Sequence, residues 1–192
     1  LDFTWSPYVA LFFALESSEG TAAVWALNAA RLNHTDVHVL KSGATIDVQG
    51  WSTWEGNSYK EQFLPGNKPF VVVGEPKAMN RRLVAQSGTF AIPGILHEPL
   101  EEIVGRYKNA EETIVKFEID VSSTRREAIR DLYNMNVTYA TLFPDLDGLA
   151  KSMGFELEYH WAFDPVSLTP VAGFPNPKLG GLPYWNFRPR VT

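Results

Sequence analysis

Apolar residues run unbroken from Tyr8 to Leu15, directly after Ser6-Pro7. Ser suits a helix N-cap and Pro the first helical position, so a helix over residues 8–16 is predicted. Its side chains are apolar on nearly every side, which predicts burial. Glu19-Gly20 ends it. Residues 21–28 read as a strand, with Val24 and Leu27 inward and Trp25 packing. Short strands are predicted at 37–40 and 45–48. Between 49 and 66, Trp51, Trp54, Tyr59 and Phe63 stand among polar residues and Gly, which predicts an ordered loop.

Phe70 to Val73 has no polar break, the pattern of a buried strand. Residues 79–86 predict a helical turn or an irregular approach to a short strand at 89–92, ended by Pro93-Gly94. A short helix is predicted over 98–107, with Pro99 in its first turn. In 113–120, Val115, Phe117 and Ile119 alternate with Lys116, Glu118 and Asp120, the period of a half-exposed strand. A helix over 122–135 follows, with Thr124 and Glu127 at capping-box spacing and Ile129, Leu132 and Tyr133 in one stripe. A last helix is predicted over 145–162, where Leu146, Leu149, Met153 and Leu157 recur at three- and four-residue steps.

Helices and short β-runs interleave irregularly. This predicts an α+β domain with a largely antiparallel sheet flanked by helices. Neither Gly-rich phosphate-loop pattern is present. From residue 164 on, Pro is dense and Gly180-Gly181 adjoins Phe174, Tyr184, Trp185 and Phe187. Pro and Gly at that density forbid a regular helix, and a freely disordered tail is usually poor in aromatics. The predicted organisation is thus a domain over 1–163 and an extended Pro-rich arm over 164–192 that lies on a surface. The chain starts with Leu1, and its apolar opening predicts that it begins inside a compact domain.

Composition narrows the function classes. The 192 residues are 45% hydrophobic and 20% charged, enough apolar surface for a packed core. The net charge of −5 argues against nucleic-acid binding through overall charge. With no Cys, thiol catalysis and Cys-ligated metals are excluded, and a reducing, cytoplasmic setting is expected. The apolar run is far short of the ~20 residues of a membrane span, so no membrane partner is expected. His34, His38, His97 and His160 form no metal motif, and no metal is expected.

Three groups of polar residues are candidates for chemistry. Asp2, Thr4 and Ser6 precede a buried helix, whose free N–H groups suit an anion such as phosphate; the same residues also suit plain capping. Arg81 and Arg82 suit bidentate contact with phosphate or carboxylate. Gln86 could line a cleft and act catalytically through its paired donor and acceptor, or satisfy backbone groups at a bend. Asp145 and Asp147 could bind Mg²⁺, although acidic residues in a first turn serve the helix dipole. Trp51, Trp54 and Tyr59 could stack a base, or simply pack.

Three blocks together resemble the FRG-domain family: Leu1-Asp2-Phe3-Thr4-Trp5-Ser6-Pro7-Tyr8-Val9-Ala10-Leu11-Phe12-Phe13-Ala14, Arg81-Arg82-Leu83-Val84-Ala85-Gln86-Ser87-Gly88-Thr89-Phe90, and Thr141-Leu142-Phe143-Pro144-Asp145-Leu146-Asp147-Gly148-Leu149-Ala150. The resemblance covers about residues 1–153. The Phe-Arg-Gly motif that names the family is absent from this chain, as are the His and Arg expected before Leu1. The resemblance implies bacterial or phage proteins, some beside defence or toxin modules, without a settled activity. By analogy with mono-ADP-ribosyltransferases, Thr4 and Ser6 would supply a polar turn and Gln86 the later polar group of a nucleotide- or NAD-using enzyme. The alternative is a non-catalytic module that binds protein or nucleic acid, with the C-terminal arm as contact surface. A third reading is the structural remainder of a domain whose active groups lie upstream. The cofactor is left unknown.

Overall fold

The computed structural model describes residues 1–33, 37–53 and 56–158. The chain divides into two compact units, Leu1–Val137 and Thr138–Thr192. The first contains β1 (Asp2–Thr4), α1 (Pro7–Glu16), β2 (Thr21–Leu27), α2 (Ala29–Asn33), β3 (Val37–Val39) and β4 (Thr45–Asp47). A 3-10 turn at Trp51–Thr53 leads to α3 (Gly56–Phe63), β5 (Val71–Gly74), α4 (Arg81–Ala85), β6 (Gly88–Pro93) and α5 (Leu100–Gly105). Then come α6 (Ala110–Thr113), β7 (Ile114–Asp120) and α7 (Val121–Asn134). The second unit contains α8 (Tyr139–Leu142) and α9 (Leu146–Glu158). The fold is α+β. Its described ladders are all antiparallel, but they form three small sheets, β1-β6-β5, β2-β7 and β3-β4, where a single sheet was expected.

The unbroken run at Phe70–Val73 is explained by burial on both faces of β5. Val71 and Val73 pack with Ala91 of β6 against Leu32, Ile103, Val104 and Tyr107. Phe70 and Val72 point into a second cluster with Val48, against which Trp51, Phe63 and Ile92 pack. Strand alternation thus sends neighbouring residues to two cores. β5 also lies at the end of its sheet, where free backbone groups must find partners. The Tyr107 hydroxyl accepts from the Val71 N–H at 3.0 Å. The Asn33 amide accepts from the Val73 N–H at 3.0 Å and donates to the Val73 carbonyl at 2.7 Å. Burial raises the Tyr107 phenol well above its usual pKa. His38 stacks on that ring, centroids 4.7 Å apart, and burial lowers its pKa.

The expected loop at 49–66 is corrected. It contains the 3-10 turn and α3. Tyr59 and Phe63 form an i, i+4 aromatic pair stacked at 4.5 Å, and Phe63 meets Phe70 edge-on at 5.0 Å. The polar residues between them are the solvent side of a helix. Trp54 lies outside the described residues. The helix α2 was not anticipated; Asn28 starts it, its side chain accepting from the Arg31 N–H at 3.1 Å.

The capping box expected at Thr124 and Glu127 is also corrected. α7 starts earlier, capped by Asp120, whose carboxylate accepts from the Ser122 N–H at 3.1 Å and from the Ser122 and Ser123 hydroxyls. Those hydrogen bonds hold the Asp120 carboxyl below its usual pKa. Arg125 of α7 donates to the Glu16 and Ser18 carbonyls at 2.8 and 3.2 Å, securing the end of α1.

Burial of α1 is one-sided. Val9, Phe12 and Leu15 are buried, whereas Tyr8 and Phe13 are exposed. On β7, Val115 and Phe117 of the predicted apolar face are likewise exposed. The opening residues are tied down by backbone pairing: the Leu1 amine donates to the Ala91 carbonyl, and the Ala91 N–H to the Leu1 carbonyl, both at 2.9 Å.

In the second unit, Thr138 caps α8 reciprocally with Thr141. The Asp145 carboxylate accepts from the Gly148 N–H at 2.8 Å at the start of α9, a capping role. The predicted stripe exists as helix, but Leu146, Leu149 and Met153 are exposed, not buried. The side chain of Leu157, the helix beyond Glu158, His34, His160 and the arm over 164–192 lie outside the described residues. No helix among the described residues is long and apolar enough to cross a membrane.

Candidate functional site

Of the exposed apolar residues on α1 and β7, Phe13 and Phe117 line clefts, whereas Tyr8 and Val115 do not. Within the first unit, α1, the ladder β1-β6 and the ribbon β2-β7 enclose two adjoining clefts of about 700 and 420 Å³. Phe3, Thr4, Val24, Trp25 and Thr89 line both, so the two share a wall. In the ribbon register, Val24 stands opposite Phe117 and Ala22 opposite Ile119, which places these residues on one face. Phe117 and Ile119 line the smaller cleft with Trp5, Pro7 and Leu11. Ala10, Phe13 and Ala14 of α1 line the larger. Apolar residues that would otherwise be misplaced on a surface therefore form its walls.

The polar end belongs to the larger cleft, and four of the residues singled out from sequence, Asp2, Thr4, Arg82 and Gln86, meet there. Asp2 and Thr4 come from β1; Asn80, Arg82 and Gln86 come from α4 and its two flanks. Antiparallel pairing brings them together, because Asp2 registers with Phe90 and Thr4 with Gly88. Ser6 and Arg81 are not among the residues that line either cleft. Ser6 caps α1 instead, its hydroxyl accepting from the Val9 N–H at 3.4 Å. Arg81 lies exposed on α4.

The bend between α4 and β6 is tightly held. Asn80 caps α4 through its carbonyl oxygen, which accepts from the Leu83 N–H at 2.8 Å. The Gln86 N–H donates to the Arg82 carbonyl at 3.0 Å and the Ser87 N–H to the Val84 carbonyl at 3.1 Å. Ser87 then adopts the left-handed region at φ 48°. Gly88 follows, where a Cβ would fall 2.3 Å from a Leu83 methyl, so a larger residue there would require the Leu83 side chain to shift. The buried Thr89 hydroxyl donates to the Gly74 carbonyl at 3.1 Å, fixing the floor. At the rim of the smaller cleft, the Trp5 indole donates to Glu75 at 2.7 Å. The Lys116 ammonium sits 5.7 Å from the Trp25 ring centroid.

Chemically, this is an apolar slot with aromatic walls that opens at one end onto a cation, a carboxylate and two amides. It can take a flat ring against Trp25 and Phe3 and an anion near Arg82. Among the described residues, no group of three or more His, Asp or Glu could hold a metal ion. His38 is a core residue, and His97 lies exposed beside Glu98 at 3.9 Å. Trp51 packs on the core of β5.

Sequence reasoning did not single out Asn80, Thr89, Phe13 or Phe117 as cleft residues. Asn80 carried a usable signal, an N-cap residue directly before Arg81-Arg82. For Phe117 the signal was a strand alternation with nothing evident to cover its apolar face. Compared with known proteins, the chain matches no family model, no curated protein and no solved structure.

Proposed function

We propose that the joined clefts bind a nucleotide, with ADP-ribose or NAD as the ligand class, in a protein of FRG-domain type that acts as a nucleotide-using transferase. The observation that carries this reading is the convergence of Asp2 and Thr4 with Arg82 and Gln86, from segments 82 residues apart, at the polar end of an aromatic slot. A guanidinium offers a planar fork to phosphate oxygens. Carboxylate and amide groups suit ribose hydroxyls or an amide-bearing base. The Trp25 face suits a base of either kind, since every base has a π-face. The analogy with mono-ADP-ribosyltransferases is to the same class.

A second reading, a binding module without turnover, is favoured by the exposure of Trp5, Tyr8 and Phe117, the residue types enriched in protein contacts. Ligand-dependent melting tests the first reading. Bound ligand stabilises by about 2.7 kcal/mol at a hundred times Kd, so a saturable rise of several degrees in Tm with ADP-ribose is expected. A flat Tm up to millimolar ADP-ribose and NAD would overturn it. Binding without release of nicotinamide from NAD would favour the module.

A further inference from the structure

We propose that Thr4 is a positioning residue, which sets Gln86 on the cleft wall by bonding the backbone of the left-handed bend, and that it is not itself a ligand for the bound anion. A threonine hydroxyl has one proton to donate. Here that proton goes to the Gln86 carbonyl at 2.7 Å, while the Thr4 oxygen accepts from the Ser6 N–H at 3.1 Å. An anion in the cleft could take the proton only by releasing the Gln86 carbonyl. Next along the chain, the Trp5 N–H donates to the Ser87 carbonyl at 2.9 Å. Two successive residues of β1 and its extension therefore grip two successive carbonyls of the bend.

What they grip is a conformation that serine rarely adopts. Ser87 stands at φ 48° between the last turn of α4 and Gly88, which is closed in by Leu83. A non-glycine residue persists in that region where its surroundings over-determine it. Loss of the Thr4 bond would leave the Gln86–Ser87 peptide tied to α4 through the Ser87 N–H and the Val84 carbonyl but without that tie to β1, and the Gln86 side chain, which lines the larger cleft with Asp2 and Arg82, would lose that anchor. Thr4 thus acts on the ligand through Gln86.

The affinity arm of the test rests on the nucleotide reading; a structural arm does not. In ligand-free protein, Thr4→Val is expected to shift and broaden the Ser87 backbone and Gln86 side-chain amide NMR signals, with core signals such as Val72 unmoved. Thr4→Ser, which keeps the hydroxyl, should retain the native positions. With ADP-ribose, Thr4→Val and Gln86→Ala should each weaken binding about tenfold, and the double variant also about tenfold, since groups acting as one unit are not additive. Thr4→Ser should stay within about twofold on the same scale. A hundredfold loss in the double variant, or native Ser87 and Gln86 signals in Thr4→Val, would overturn the proposal. If the wild-type protein binds no ADP-ribose, the nucleotide reading fails and the NMR comparison alone decides the role of Thr4.

Discussion

Gly94→Ala is expected to destabilise the first unit by about 3 kcal/mol, near the upper end of overpacking costs. For a unit of this size that lowers Tm by roughly 10 °C. The reason is close approach at the end of the antiparallel β5-β6 pair. The Gly94 N–H donates to the Phe70 carbonyl at 2.8 Å, drawing the two backbones together. A Cβ on Gly94 would lie 2.4 Å from the Lys68 carbonyl oxygen and 2.6 Å from the Phe70 ring. Neither neighbour can yield easily, because one is backbone and the other is fully buried in the second core. Gly105→Ala is the matched control. It ends α5 with open space around its Cβ, so it should be neutral or stabilising by up to about 1 kcal/mol. Thermal melts of the two variants check the difference. Equal Tm values would contradict the packing described for this strand pair.

The second large effect concerns the cleft. Arg82→Ala is expected to weaken ADP-ribose binding roughly thirtyfold, the equivalent of about 2 kcal/mol for a hydrogen bond to a charged group. Arg82 is exposed and lines the larger cleft, whereas its neighbour Arg81 is exposed and lines neither. Arg81→Ala should therefore leave affinity within about twofold, although it removes the same charge from the same helix. That pair separates a placed guanidinium from a general attraction of positive charge. Arg82→Lys should restore affinity in part, since an ammonium keeps the charge but loses the planar fork. Titration calorimetry at two salt concentrations is the check; the Arg82 contribution should shrink as salt rises.

The legible part of the fold was the part in which local pattern and tertiary burial agree. The strand at Val71–Gly74 follows from a short unbroken apolar run, because both of its faces are buried. The helix Pro7–Glu16 follows from Ser6 and Pro7 as cap and first residue. The α3 segment was illegible because Phe63 alone of its aromatic pair packs on the core, while Tyr59 stays exposed, amid polar residues and a leading Gly. The start of α7 was misplaced because Asp120 ends an alternating strand and caps a helix at once. Splitting of the described β-structure into three sheets was not readable either, since pairing between distant strands leaves no local mark.

In the candidate site, the residue types were readable and the roles were not. Asp2, Thr4, Arg82 and Gln86 were chosen for their chemistry, and the β1-β6 ladder gathers them at one cleft. Ser6 and Arg81 were equally good choices by type, yet each falls off the cleft by one or two positions of strand or helix geometry. The apolar walls were hidden in plain alternation. Phe117 looks like an inward strand residue, and only the ribbon's position opposite α1 shows that it faces a cavity.

Nuclear magnetic resonance titration of the wild-type protein with ADP-ribose tests the nucleotide-binding claim most directly. The Trp25 indole and the Gln86 side-chain amide are expected to move along one saturating curve, together with the Thr89 and Phe117 backbone signals. If these signals stay fixed through millimolar ligand, or if the shifts gather instead at the groove around Asp47 and Lys68, the assignment of this cleft as a nucleotide site is contradicted.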